Sequence, residues 1–169
     1  MSSAPLLPAR LDWPSAIGLF LINYGTLDYS AFVFLKDYLP GDEFARVKER
    51  SFKDRVEKIG QLLKDAKYPP DEQIGFARLL KRLQPIRELR NHIAHGHMYL
   101  TFDANPERRK LTLFQAKDVD TGLLPESKHV EFPELLAALS TLNELIEEFQ
   151  SLTGFRAAGC ATTSKDARE

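Results

Sequence analysis

Apolar residues recur three and four apart through most of this chain, and that period predicts helices. Ile17, Leu21, Tyr24, Leu27, Ala31 and Leu35 mark the first stripe. Asp12 as a capping carboxylate and Pro14 in the first turn open it. This first helix should run to about Tyr38 and stop at Leu39-Pro40-Gly41. Phe20, Phe32, Val33 and Phe34 add apolar surface outside the stripe. Burial on more than one side follows, either at the centre of a bundle or in a dimer interface. A second helix is expected over residues 42–67, with Phe44, Val56, Ile59 and Leu63 inside and a mixed-charge face, Arg55 included, toward solvent. A third should start near Asp71 and reach Ala94 or His95, with a kink or break at Pro85 and Gly96 as its C-terminal cap.

Beyond Gly96 the period changes from helical to alternating. Residues 98–102 and 111–115 read as strands, 128–131 as a third short strand, and 118–127 as loop. The last helix runs from about Pro133 to Leu152 on a seam that includes Leu135, Leu139, Leu142, Leu145 and Phe149. The fold class expected is therefore mainly α: four main helices with a small antiparallel strand insert, at about 97–131, between the third and fourth. One domain spans 12–153. Residues 1–11 are a lead-in, and the polar tail 154–169 is expected to be disordered.

Composition narrows the setting. With 169 residues and 43% hydrophobic content, one core needs no staples. A net charge of -1 argues against coating nucleic acid by bulk charge and leaves room for a local basic patch. The single cysteine, Cys160, forms no internal disulfide, which fits the reducing cytoplasm. The first ten residues lack a signal-peptide run. Residues 17–39 are apolar enough to raise the membrane question, but Asn23, Asp28, Lys36 and Asp37 interrupt them. A buried helix of a soluble protein, with no membrane partner, is the better reading. CxxC, HExxH and EF-hand patterns are missing, so neither metal nor cofactor is expected.

Chemistry concentrates in Leu89-Arg90-Asn91-His92-Ile93-Ala94-His95-Gly96-His97. Arginine is a permanent cation shaped for phosphate oxygens. Histidine exchanges protons near neutrality. On an ideal helix Asn91 and His95 share a face, whereas Arg90 and His95 stand about 140° apart. One ideal helix should not aim both at one phosphate. Either the helix unwinds near Gly96, or a two-fold dimer completes the pair. Arg90 also lies close to the apolar seam of Ile86, Leu89 and Ile93, where a charge needs a partner. Asp28, on the first helix's stripe, either pairs with Arg90 or Asn91 and orients it, or faces water through a wider polar strip. Simple complementarity of His95 and His97 to the helix dipole also explains their position.

The string Leu89-Arg90-Asn91-x-x-Ala94-His95-Gly96, closing a long helix in an all-helical chain of this size, resembles the HEPN superfamily of small, usually dimeric helical bundles. Its signature is an Arg, a polar residue and then a His four to six residues after the Arg; Arg90, Asn91 and His95 match. The likeness covers roughly residues 12–153, and Tyr24 to Asp28 resembles the family's first helix, where an acidic residue often supports the motif. The strand insert departs from the simplest members. The resemblance implies a metal-independent endoribonuclease, a toxin, defence or RNA-processing nuclease. In it a ribose 2′-OH attacks the adjacent phosphate, His95 handles the proton, Arg90 stabilises the charged transition state and Asn91 orients the pair. His97 and His92 are secondary candidates, His97 as a stand-in for His95.

Three functions compete. In the first, a homodimer using the first and third helices cleaves RNA in a composite cleft. Arg78, Lys81, Arg82 and Arg87, a local basic excess, would guide the RNA toward it. In the second, the chain is a non-catalytic HEPN-like module that binds a nucleotide or a partner protein, for instance an antitoxin of the nucleotidyltransferase kind. In the third, Tyr99, Phe102 and Phe114 stack on bases without chemistry, against the expectation that they pack on the bundle.

Overall fold

The structure is a computed structural model and describes residues 11–65, 69–101, 110–115 and 127–153. The tail 154–169, Cys160, Phe102 and most of the expected 118–127 loop lie outside the described residues. Five helices and three strands follow in the order α1 (Trp13–Tyr38), α2 (Gly41–Val47), α3 (Phe52–Asp65), α4 (Pro70–His95), β1 (Gly96–Thr101), β2 (Lys110–Gln115), β3 (Ser127–Glu131) and α5 (Phe132–Thr153). The protein is mainly α, with the strand insert between its last two helices.

Local chemistry accounts for the ends. Asp12 Oδ1 accepts from the Ser15 amide at 2.9 Å, satisfying an orphan donor of the first turn of α1. The Asp12 carboxyl is held below its ordinary value of 3.8, chiefly by hydrogen bonding from Ser15, which favours the charged form. At α5, the Glu134 carboxylate accepts from the Glu131 amide at 2.8 Å. α4 runs unbroken through Pro85, and Gly96 opens β1 directly.

The expected 42–67 helix is two helices. A continuous helix would engage the carbonyls of Lys48 and Arg50 with the amides of Phe52 and Asp54. Instead Arg55 Nη1 donates to both carbonyls, at 3.2 and 2.5 Å. The Asp54 amide turns to Ser51 Oγ at 3.3 Å, while that hydroxyl donates to Asp54 Oδ2 at 2.9 Å. Ser51 thus caps the N-terminus of α3 and starts it anew.

Two compact units divide the chain. Among the described residues, the first draws on those within 11–25 and 82–144, the second on those within 26–81 and 145–153. In the first unit Trp13, Phe20, Ile86, Ile93, Leu113 and Leu139 are buried, and the Trp13 and Phe132 rings meet at 5.0 Å. Asn23 Nδ2 donates to Asn143 Oδ1 at 2.6 Å, satisfying two amides against each other. The sheet belongs to this unit and is antiparallel in the order β1-β2-β3. Its register pairs Leu100 with Leu111 and Leu111 with Val130.

In the second unit Leu27, Leu35, Ile59, Phe76, Leu79 and Phe149 are buried. Two hydroxyls join them by bonding one turn back: Ser30 Oγ to the Thr26 carbonyl at 2.9 Å and Thr153 Oγ1 to that of Phe149 at 2.7 Å. α2 has no buried residue and is held from outside, by Phe32 against Phe44 at 5.2 Å and by the Lys58–Glu43 ion pair.

α1 carries both buried and exposed apolar positions in the single chain. Trp13, Phe20 and Tyr24 in the first unit and Leu27, Ala31 and Phe34 in the second are buried, while Ile22 and Tyr29 are exposed. Among the described residues it is the one helix long and apolar enough to cross a membrane, by length and composition alone.

Candidate functional site

α4 delivers Arg90, Asn91 and His95 in its last turns, within the first unit. Leu89 and Ile93 are buried and fix the helix's inner side. Arg90, one residue past Leu89, is half-buried; Asn91 and His95 are exposed. The Arg90 guanidinium lies over the Tyr24 ring of α1, with Cζ 5.3 Å from its centroid. Stacking a weakly hydrated planar cation on an aromatic face lets the arginine stay charged while partly desolvated.

From that seat, Arg90 Nη1 reaches Asn91 Oδ1 at 3.2 Å and His95 Nε2 at 3.1 Å. The two N–H groups of one nitrogen thus serve two acceptors. Because arginine only donates, His95 Nε2 accepts and its Nδ1 carries the proton. Among the described residues no carboxylate pairs with Arg90. An uncompensated guanidinium beside an exposed imidazole and amide can receive an anionic oxygen and place it next to a proton carrier.

The expectation that one helix cannot bring Arg90 and His95 together is corrected. Their Cβ directions differ by about 140°, but the long arginine stem bends round the last turn to close the gap. Neither an unwound helix nor a second chain is needed for the contact.

Asp28 is corrected as well. Its carboxylate is engaged by Arg55 Nη2, in the second unit, and neither orients Arg90 or Asn91 nor faces water alone. Tyr24, on the same helix, is what supports Arg90.

His92 is half-buried, and its Nδ1 donates to the Glu88 carbonyl at 2.7 Å. His97 is exposed on β1 and does not share the contact that joins Arg90 to His95. The proposed guiding cations fall in both units. Arg82 pairs with Glu144 at 2.5 Å. Arg78 and Lys81 are exposed in the second unit, while Arg87 is half-buried in the first. Tyr99 is exposed rather than packed on the bundle.

Among the described residues no three His, Cys, Asp or Glu side chains converge as metal ligands. Searches of protein-family models, curated proteins and solved structures return no match to this chain.

Proposed function

We propose that this chain is a metal-independent endoribonuclease of the cytoplasm, acting as a homodimer that brings two copies of the Arg90–Asn91–His95 cluster to one cleft. The observation that carries this reading is Nη1 of a charged, carboxylate-free Arg90 lying 3.1 Å from Nε2 of an exposed His95. The resemblance to HEPN nucleases rests on the same three residues.

In the chemistry we assign, Arg90 turns its guanidinium from His95 to a phosphate oxygen of the RNA. That exchange releases the Nε2 lone pair. Nε2 then takes the proton of the ribose 2′-OH as its oxygen attacks phosphorus. The bond from phosphorus to the 5′ oxygen breaks, leaving a 2′,3′-cyclic phosphate and, after proton return, a 5′-hydroxyl. Arg90 stabilises charge on the equatorial oxygens, and Asn91 Oδ1 keeps the guanidinium in register. The second reading, a non-catalytic module for a nucleotide or an antitoxin-like protein, is favoured by the cluster's internal satisfaction and by Arg90's half-burial against Tyr24.

Cleavage of mixed RNA in EDTA separates them. Wild type should cut and leave cyclic phosphate ends, while folded Arg90→Ala and His95→Ala should each lose about 100-fold or more. A wild type that cuts nothing, or three proteins that cut equally, would favour the binding module.

A further inference from the structure

The sheet that springs from the cluster has one face turned outward, and its composition is specific. Leu111, Leu113 and Val130 are buried and define the inner face. Side chains alternate along a strand, so the row Tyr99–Thr112–His129, paired across the three strands, takes the other face. Tyr99 is 62% exposed at the centre of β1. His129 is exposed, with its Nδ1 held 3.1 Å from Thr112 Oγ1, so its ring is fixed beside that row. His97 is exposed in the preceding row on the same face. In the following row Lys110 pairs with Glu131 at 3.3 Å, so the one carboxylate placed on this face among the described residues is already neutralised.

We propose that this outer face is a platform for single-stranded RNA, on which Tyr99 stacks a base and His97 and His129 contact the sugar and phosphate on either side. The ligand class rests on the ribonuclease reading above. Three features favour RNA over a protein surface: an exposed aromatic ring at mid-strand, flanking groups that donate to oxygen, and direct continuity with Arg90 and His95. β1 starts at the residue after His95. At about 3.3 Å per residue, Tyr99 sits about 13 Å along the strand from it, near enough for neighbouring nucleotides of one strand. Only unpaired bases offer a π-face for stacking, so the platform selects single strands over duplex.

The test is fluorescence anisotropy with a labelled, uniformly 2′-O-methylated RNA, which lacks the attacking hydroxyl and is not cut by the proposed mechanism. Wild type should bind it, and the matching duplex should compete poorly. Tyr99→Ala should bind about tenfold more weakly, and Tyr99→Phe, which keeps the ring, should return to within about threefold of wild type. Because Tyr99 is exposed, both variants should keep the wild-type circular dichroism spectrum. Equal affinity in Tyr99→Ala, no binding by wild type, or duplex bound as well as single strand would overturn the platform and leave the face to a protein partner. The two readings fail separately. Cleavage that depends on His95 but not on Tyr99 keeps the nuclease and ends the platform. Tyr99-dependent binding by a protein that never cuts does the reverse.

Discussion

Replacing Asp28 with alanine should destabilise the second unit and leave the Arg90–His95 contact intact. Arg55 has only 12% of its side chain exposed and Asp28 33%. Arg55 Nε is buried without a hydrogen-bond partner, so the guanidinium is already under-satisfied. Removing the carboxylate strands a second edge of a mostly buried cation. Breaking a fully buried pair costs about 3–5 kcal/mol and an exposed one about 0–1 kcal/mol. This pair lies between, so about 2 kcal/mol is expected, or roughly 4–8 °C in Tm for a chain of this size. Arg55→Ala should cost about 1–2 kcal/mol more, because the Lys48 and Arg50 carbonyls also lose their donor. Urea and thermal melts followed by far-UV circular dichroism read both, and a double-mutant cycle isolates the coupling. If Asp28→Ala melts with wild type yet abolishes RNA cleavage, Asp28 acts at the motif and the structural assignment is wrong.

Two further predictions concern helix interiors and pH. A Cβ at Gly60 meets Phe76 Cε1 at 3.5 Å, ordinary contact, so Gly60→Ala should stabilise by about 0.5–1 kcal/mol. At Gly75 the Cβ would come 3.3 Å from Leu152 Cδ2, and shifting that side chain should make Gly75→Ala gain less; the reverse order of urea midpoints would contradict this. Asp12's lowered pKa means its charged form is favoured in the folded state, so its contribution is present above 3.8 and lost as pH falls through the lower folded value. The Tm difference between wild type and Asp12→Ala should therefore shrink as the solution is acidified below 3.8, and a constant difference would sink the cap assignment.

The candidate site was legible as a string and illegible as an arrangement. Arg90, Asn91 and His95 stood out because their chemistry is concentrated at one helix end. Their contact was missed because helical angles describe Cβ directions, whereas arginine acts at the end of a long stem. The aromatic support for Arg90 is not legible in the sequence, because the stripe marks Tyr24 as apolar and the resemblance points to an acidic residue beside it. The charges around Arg55 mark a solvated face; its inward turn depends on Asp28, which lies on another helix. The signal that would have found the α2–α3 break was present in Ser51-x-x-Asp54, a cap inside what otherwise reads as one amphipathic run.

By itself the sequence determined the helical and strand segments, their order and nearly all their ends. Apolar period, capping side chains and proline or glycine punctuation act within a few residues, and the free energies they set are local. Tertiary structure decided which charge met which, which sheet face turned outward and where a guanidinium found an aromatic ring. Those outcomes depend on groups brought together from distant parts of the chain, where burial makes an unpaired charge costly enough to select its partner.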